Sequence, residues 1–69
     1  MDIKQKFGLR IRDIRQQKGI SQEGLAYIAE IDRTYVQSIE SGKRNVSIIT
    51  IEKLAKAFDM SIDNLLKNL

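Results

Sequence analysis

The chain of 69 residues contains no cysteine, histidine, proline or tryptophan. Without cysteine and histidine it lacks disulfides and the usual ligands of zinc and other transition metals. A chain this short buries only about 60% of its unfolded surface, and chains of this size often need an additional source of stability. Association of subunits is the source that remains, so we expect an oligomer. The absence of proline leaves every segment free to form helix.

Long hydrophobic runs are missing as well. No apolar stretch approaches the roughly 20 residues that span a bilayer. The N-terminus, Met1-Asp2-Ile3-Lys4, begins polar and lacks the apolar core of a signal peptide. We therefore expect a cytoplasmic protein without a membrane partner, and the lack of cysteine fits a reducing compartment.

Positive charge is concentrated in the first two-thirds of the chain. The net charge is +3, and residues 1–44 hold nine basic and six acidic side chains, whereas residues 45–69 hold three of each. This asymmetry is expected if the N-terminal part faces a polyanion. A solvated surface of mixed charge would explain the charge alone equally well.

Apolar spacing and capping residues predict five helices and no strand. In the first helix Phe7, Ile11 and Ile14 recur at i, i+4 and i+7. Serine or aspartate N-caps precede the other four helices. The predicted helices span residues 3–17, 22–29, 33–40, 48–58 and 62–67. The sequence thus predicts an all-α fold of one domain, residues 1–69.

The second and third helices form the most informative pair. A break of only two or three residues makes consecutive helices cross steeply, near the ~90–120° of helix-turn-helix units. The third helix then exposes one polar stripe at i, i+1, i+4 and i+5, composed of Arg33, Thr34, Gln37 and Ser38. The major groove of DNA is about 12 Å wide and admits such a helix, in which arginine can read guanine and glutamine can read adenine. This stripe is the predicted site of base contacts.

Three stretches resemble the Cro/phage-repressor (Xre-type) helix-turn-helix family: Phe7-Gly8-Leu9-Arg10-Ile11-Arg12, Lys18-Gly19-Ile20-Ser21-Gln22-Glu23 and Leu25-Ala26. A narrower resemblance, to the controller proteins of restriction–modification systems, lies in Asp32-Arg33-Thr34-Tyr35-Val36, Ile39-Glu40 and Arg44-Asn45-Val46-Ser47. Together they cover nearly the whole chain from residue 7 to residue 66. The resemblance implies a five-helix, lambda-repressor-like DNA-binding domain.

The resemblance also implies roles for single residues. Arg33 and Thr34 would lead the recognition helix into the groove, and Ser38 occupies another position where relatives touch bases. Gln37 departs from the small residue common in controllers, which leaves its role and the preferred DNA sequence open. Gln22 would bind a phosphate and brace the third helix.

Further implied contacts lie beside the stripe. Tyr35 would reach a phosphate or a thymine methyl, or only pack against the flank of the helix. Lys43, Arg44 and Asn45 would approach the DNA backbone, with Arg44 near the central minor groove. Relatives also pair an arginine of the first helix with the glutamate that ends the third, which implies a structural ion pair between Arg15 and Glu40. The other basic residues of the first helix read as ordinary surface charges.

Two residues depart from the family pattern. Glu30 stands at the turn where relatives often have glycine or asparagine in the left-handed conformation. We expect glutamate there to cost about 1 kcal/mol and to distort the turn. Gly24 replaces a more usual glutamate and lowers helix propensity by about 0.8–1 kcal/mol relative to alanine.

The C-terminal segment has more apolar residues than one short helix can bury. Either all of them close the core of the monomer, or some form a dimer contact. We predict a homodimer interface, which also suits a protein that reads a palindromic site with two helices one DNA turn (~34 Å) apart. The predicted interface comprises Ile49, Ile62, Leu65, Leu66 and Leu69.

These expectations converge on a dimeric, sequence-specific transcriptional regulator that binds pseudo-palindromic operator DNA. Resemblance implies a controller that activates and represses its own promoter, delays the linked endonuclease gene and contacts RNA polymerase. A phage-type repressor or antitoxin-like autorepressor is the alternative of the same class. The alternative of another class is a protein-interaction module that has lost DNA binding. Asp32 and Glu40 read as N-cap and ion-pair partner, so we expect no catalysis, cofactor, metal or small-molecule substrate.

Overall fold

The computed structural model describes all residues, 1–69, and contains five helices and no strand. The helices are α1 (Ile3–Gln17), α2 (Gln22–Ala29), α3 (Arg33–Glu40), α4 (Ile48–Ala57) and α5 (Ile62–Leu65). The all-α prediction is confirmed, and the first three helices have the predicted bounds. The last helix is shorter than predicted, because it ends at Leu65 and Leu66 is its C-cap. No helix combines the length and the apolar character needed to cross a bilayer.

Each helix begins at a side chain that accepts a backbone N–H hydrogen bond of its first turn. Asp2 forms a reciprocal capping box with Gln5. The four later caps are the predicted Ser21, Asp32, Ser47 and Ser61. Because such a cap is worth about 1 kcal/mol, local chemistry fixes where every helix starts.

The turn between α2 and α3 keeps the geometry that glycine would give it. Glu30 has φ 58° and ψ 45°, close to the ideal left-handed values. The next residue, Ile31, donates its N–H to the carbonyl of Ala26 at 3.0 Å, which closes a Schellman-type end. The prediction that the turn is distorted is therefore wrong. Glu30 itself adopts the strained left-handed conformation, and the two helices keep their usual arrangement.

Twelve buried apolar residues form one core cluster, to which all five helices contribute. Helix α3 packs on both α1 and α2, and its Val36 and Ile39 are almost completely buried. Gly8 allows the approach of α1 to α3, since a Cβ built there would lie only 2.2 Å from the carbonyl oxygen of Ile39. The core thus holds α3 from behind and leaves its opposite face to solvent.

Arg10 connects the two ends of the chain. Its Nε donates to the carbonyl of Leu65 at 3.0 Å, and its Nη2 donates to the carbonyl of Asn64 at 2.8 Å. No backbone N–H bonds to the carbonyl of Leu65 at the end of α5, whereas the carbonyl of Asn64 also accepts the N–H of Lys67 at 3.2 Å. This arginine is therefore a structural residue and not the ordinary surface charge that the sequence suggested.

Candidate nucleic-acid interface

The polar stripe of α3 is present as one outward face. Arg33, Thr34 and Gln37 are exposed, and Ser38 is partly exposed. The buried Val36 and Ile39 lie on the opposite side of the helix. Because the core fixes this rotation of α3, the four polar side chains are presented together on a rigid element. A helix with such a face can enter the major groove.

Thr34 is oriented by the N-cap of its own helix. Its hydroxyl donates to Oδ1 of Asp32 at 2.6 Å, and its backbone N–H donates to the same oxygen at 2.8 Å. These two bonds, with a smaller contribution from the charge of Arg33, lower the pKa of Asp32 below its ordinary value of 3.8. The hydroxyl proton is therefore occupied, which leaves the methyl group and an acceptor lone pair of Thr34 for DNA.

Arg33 is held only loosely. Its Nη1 lies 3.4 Å from Oε2 of Glu23, and the two side chains are 57% and 78% exposed. Pairs this open to solvent contribute little energy. The guanidinium can therefore leave Glu23 and make the bidentate contact to guanine for which its geometry is suited.

Arg44 lies against the flank of α3. Its guanidinium carbon is 4.4 Å from the centre of the Tyr35 ring, a cation–π distance. Its Nε donates to Oγ of Ser38 at 3.2 Å, while the Ser38 hydroxyl donates to the carbonyl of Tyr35 at 2.9 Å. The structure thus brings Arg44, from the loop after α3, to the polar stripe of α3, which is the face proposed to read DNA. Because the Ser38 hydroxyl proton is already donated, Ser38 can offer a base only an acceptor lone pair.

A relay of hydroxyls positions Tyr35. Ser47 donates to Thr50, and the hydroxyl of Thr50 donates to the phenol oxygen of Tyr35, both at 3.1 Å. The relay uses an acceptor site of the phenol and leaves its proton to be donated outward. A phenol in this state suits an acceptor such as a phosphate oxygen. Thr50 is buried, and its part in this relay was not predicted from the sequence.

The predicted ion pair between Arg15 and Glu40 is present and bidentate. Nε lies 2.7 Å from Oε2, and Nη2 lies 3.0 Å from Oε1. The side chains are only 13% and 5% exposed, and the hydrogen bond to Glu40 raises the pKa of Arg15, against the opposing effect of burial. Arg15 also donates to the carbonyl of Ile20 at 2.9 Å. The pair therefore ties α1, the start of α2 and the end of α3 together.

Gln22 joins this ion pair at the start of α2. Its Nε2 donates to Oε1 of Glu40 at 3.1 Å, so the predicted bracing of the third helix is present. An amide nitrogen carries two hydrogens, and the second remains for a phosphate. Lys43 and Asn45 are exposed in the loop after α3 and flank Arg44 in the sequence.

The predicted dimer residues are not equally available. Ile49 is 65% exposed, and Ile62, Leu66 and Leu69 are partly exposed. The prediction of Leu65 as an interface residue is wrong, because its side chain is fully buried in the core of its own chain. The neighbouring Ile48 is 71% exposed and was not included in the predicted set.

Comparison with known proteins agrees with this geometry. The family described as "Helix-turn-helix" matches residues 11–65. Control protein C.MunI of a Mycoplasma species is 39% identical over 69 residues, which cover 99% of this chain and 93% of the relative. Control protein C.BamHI of Bacillus amyloliquefaciens is 44% identical over 66 residues, which cover 94% of this chain and 82% of the relative.

Two solved structures show the same similarity in three dimensions. The restriction-modification controller protein C.AhdI from Aeromonas hydrophila has a TM-score of 0.87 at 48% identity, covering 90% of this chain and 94% of that one. The controller protein C.Esp1396I, solved as a tetramer in complex with its natural 35 base-pair operator, has a TM-score of 0.85 at 35% identity. That match covers 96% of this chain and 91% of that one.

Proposed function

Because this chain belongs to the helix-turn-helix family, and within it to the control proteins of restriction–modification systems, we propose that it binds operator DNA as a homodimer. The members of this group are transcription regulators and not enzymes. On this proposal the chain acts in the cytoplasm as activator and repressor of its own promoter and that of the linked endonuclease. Activation proceeds through contact with RNA polymerase.

The reading face of α3 carries the proposal. Four hydrogen-bonding side chains share one outward face, and a buried, bidentate ion pair fixes the helix that bears them. Arg33 and Thr34 contact bases, with Gln37 and Ser38 beside them. Tyr35 and Gln22 each keep a free proton for the backbone. This combination of a rigid reading element and backbone donors is what sequence-specific recognition requires.

The exposed apolar residues of the C-terminal third support the homodimer. Ile48 and Ile49 present adjacent large side chains to solvent, and contiguous exposed apolar surface of this kind marks an interaction site. Ile62, Leu66 and Leu69 extend the interface. A dimer places two copies of α3 about 34 Å apart, one per half-site of a pseudo-palindrome. The tetramer of C.Esp1396I on a 35 base-pair operator supports two such dimers on one regulatory region.

Selection of binding sites from random duplex DNA tests this function. The selected sequence should be a palindrome bound by a dimer. Titration of Arg33→Ala on that site should show a loss of about 1–3 kcal/mol and relaxed preference at one position of each half-site. Lys56→Ala, an exposed change on α4, serves as the control and should retain the preference.

The competing function is a protein-interaction module without DNA binding. Binding through several phosphates weakens steeply and log-linearly with salt, whereas apolar pairing hardly responds. If no sequence is enriched, and duplex DNA is not bound even at low salt, the regulator function is refuted.

A further inference from the structure

A cleft with a wholly polar lining lies beside the reading helix, between α1 and the C-terminal half of α3. Its volume is about 270 Å³, and no hydrophobic residue lines it. The bonded group of Arg15, Glu40 and Gln22 forms part of its wall. The other lining residues are Arg12, Gln16, Gln37 and Ser41. We call this site the polar cleft.

The charges of the bonded group are already satisfied. Both carboxylate oxygens of Glu40 accept hydrogen bonds, and three nitrogens of Arg15 donate them. Arg12, in contrast, is exposed and makes neither an ion pair nor a side-chain hydrogen bond. Since Glu40 is the only carboxylate in the lining, the polar cleft carries one uncompensated positive charge.

The amides of the polar cleft complete a set of donors for an anion. The side chains of Gln16 and Gln37 are exposed and make no hydrogen bond within the chain. A cleft of 270 Å³ is large enough for several waters, each of which occupies about 30 Å³. A ligand with several acceptor oxygens and negative charge, such as a phosphate diester, matches this lining.

The position of the polar cleft indicates the source of that phosphate. Gln37 belongs both to the cleft and to the outward stripe of α3. A ligand in the cleft therefore lies directly beside the helix that enters the groove. The opposite flank of α3 carries Arg44 over Tyr35. A major groove is bordered by two backbones, and α3 thus has a guanidinium on each side.

We propose that the polar cleft binds a backbone phosphate of the operator, with Arg12 supplying the charge and Gln16 and Gln37 supplying amide donors. This inference rests on the proposed function, because it assigns a further contact to the same DNA complex. It also gives Gln37 a place at the border between base and backbone. Phosphate contacts of this kind set register and orientation without reading sequence.

The salt dependence of operator binding tests the proposal in the full-length chain. Each neutralised phosphate adds about 0.9 to the slope of log K against log salt. Arg12→Gln should lower the magnitude of that slope by about 0.9. The ratio of wild-type affinity to Arg12→Gln affinity should therefore fall about 3.5-fold between 50 and 200 mM salt. The selected sequence should not change. Lys56→Gln removes one exposed charge from α4 and should leave the slope unaltered.

A second measurement locates the contact. Single methylphosphonate linkages, which remove one phosphate charge, are placed in turn along a half-site. One linkage should weaken the wild-type protein much more than it weakens Arg12→Gln, in which only the amide donors of Gln16 and Gln37 remain. Equal slopes for wild type and Arg12→Gln, or losses at every linkage that are the same in both proteins, would overturn the polar cleft as a phosphate site. Failure of the wild-type protein to bind duplex DNA would instead refute the proposed function.

Discussion

Removal of Glu40 should destabilise the protein strongly, because it strands a buried positive charge. In Glu40→Ala the guanidinium of Arg15, only 13% exposed, loses both of its carboxylate bonds and keeps only the carbonyl of Ile20. The amide of Gln22 loses its acceptor as well. A buried charge left without its partner costs about 3–5 kcal/mol.

This cost is large for so small a domain. At about 0.05–0.15 kcal/mol per residue, a chain of 69 residues has roughly 3–10 kcal/mol of stability. One kcal/mol shifts Tm by about 4–8 °C for domains of this size. Glu40→Ala should therefore lower Tm by at least about 12 °C, as measured by circular dichroism. Protein concentration must be held fixed, because the proposed dimerisation would add to apparent stability.

The control is the other acid–arginine pair of the same chain. Glu23→Ala removes a carboxylate that is 78% exposed and 3.4 Å from Arg33, and it should change stability by less than about 1 kcal/mol. The double variant Arg15→Met/Glu40→Leu removes both charges and should recover most of the loss, since well-packed apolar pairs replace buried ion pairs at little cost. If the free energy of unfolding of Glu40→Ala lies within about 1 kcal/mol of the wild-type value, the ion pair does not hold α3 in place.

Two further changes test other features of the fold. Gly8→Ala should destabilise by about 1–3 kcal/mol in chemical denaturation, although alanine favours helix, because its Cβ would lie 2.2 Å from the carbonyl oxygen of Ile39. Asp32→Asn should reduce the loss of stability on acidification. The lowered pKa of Asp32 means that it stabilises the fold above its ordinary value of 3.8, and that this contribution disappears as pH falls through the folded value. Tm measured between pH 5 and pH 3 should thus fall less in Asp32→Asn than in wild type.

Each of these changes has an internal control. Lys6→Ala lies in the same helix as Gly8 but is exposed, and it should leave the denaturation midpoint nearly unchanged. A Gly8→Ala protein as stable as Lys6→Ala would show that α1 and α3 can separate freely. Asp13→Asn neutralises another exposed acid and serves as the matched control for the loss of one negative charge. If Tm falls equally with pH in wild type and Asp32→Asn, the two hydrogen bonds from Thr34 do not stabilise the ionised form of Asp32.

The helices and the reading face were predictable because their determinants are local in sequence. Each of the four predicted N-caps bonds to a backbone N–H within its own first turn. The stripe on α3 follows from the period of an eight-residue helix. Even the left-handed residue of the turn could be assigned to Glu30. Its consequence was misjudged, since the packed helices impose the conformation on a residue that disfavours it.

What the sequence did not reveal depends on contacts between distant segments. Arg10 meets Leu65 across 55 positions, and no local pattern distinguishes it from its neighbour Arg12. The role of Gly8 arises from the carbonyls of α3, whereas its own helix shows only lower propensity. Leu65 ends a helix of four residues, and Leu66 is its C-cap. Such a helix is too short for periodicity to separate a buried side chain from one at an interface.

The bonded group of Arg15, Glu40 and Gln22 links the stability of the fold to its proposed contact with DNA. Gln22 is held by Glu40, and the same group lines the polar cleft beside α3. A variant that restores folding without restoring this geometry separates the two roles. Arg15→Met/Glu40→Leu should melt near wild type yet bind the operator more weakly, because Gln22 loses the acceptor that orients it. Equal operator affinity would show that the ion pair serves the fold alone.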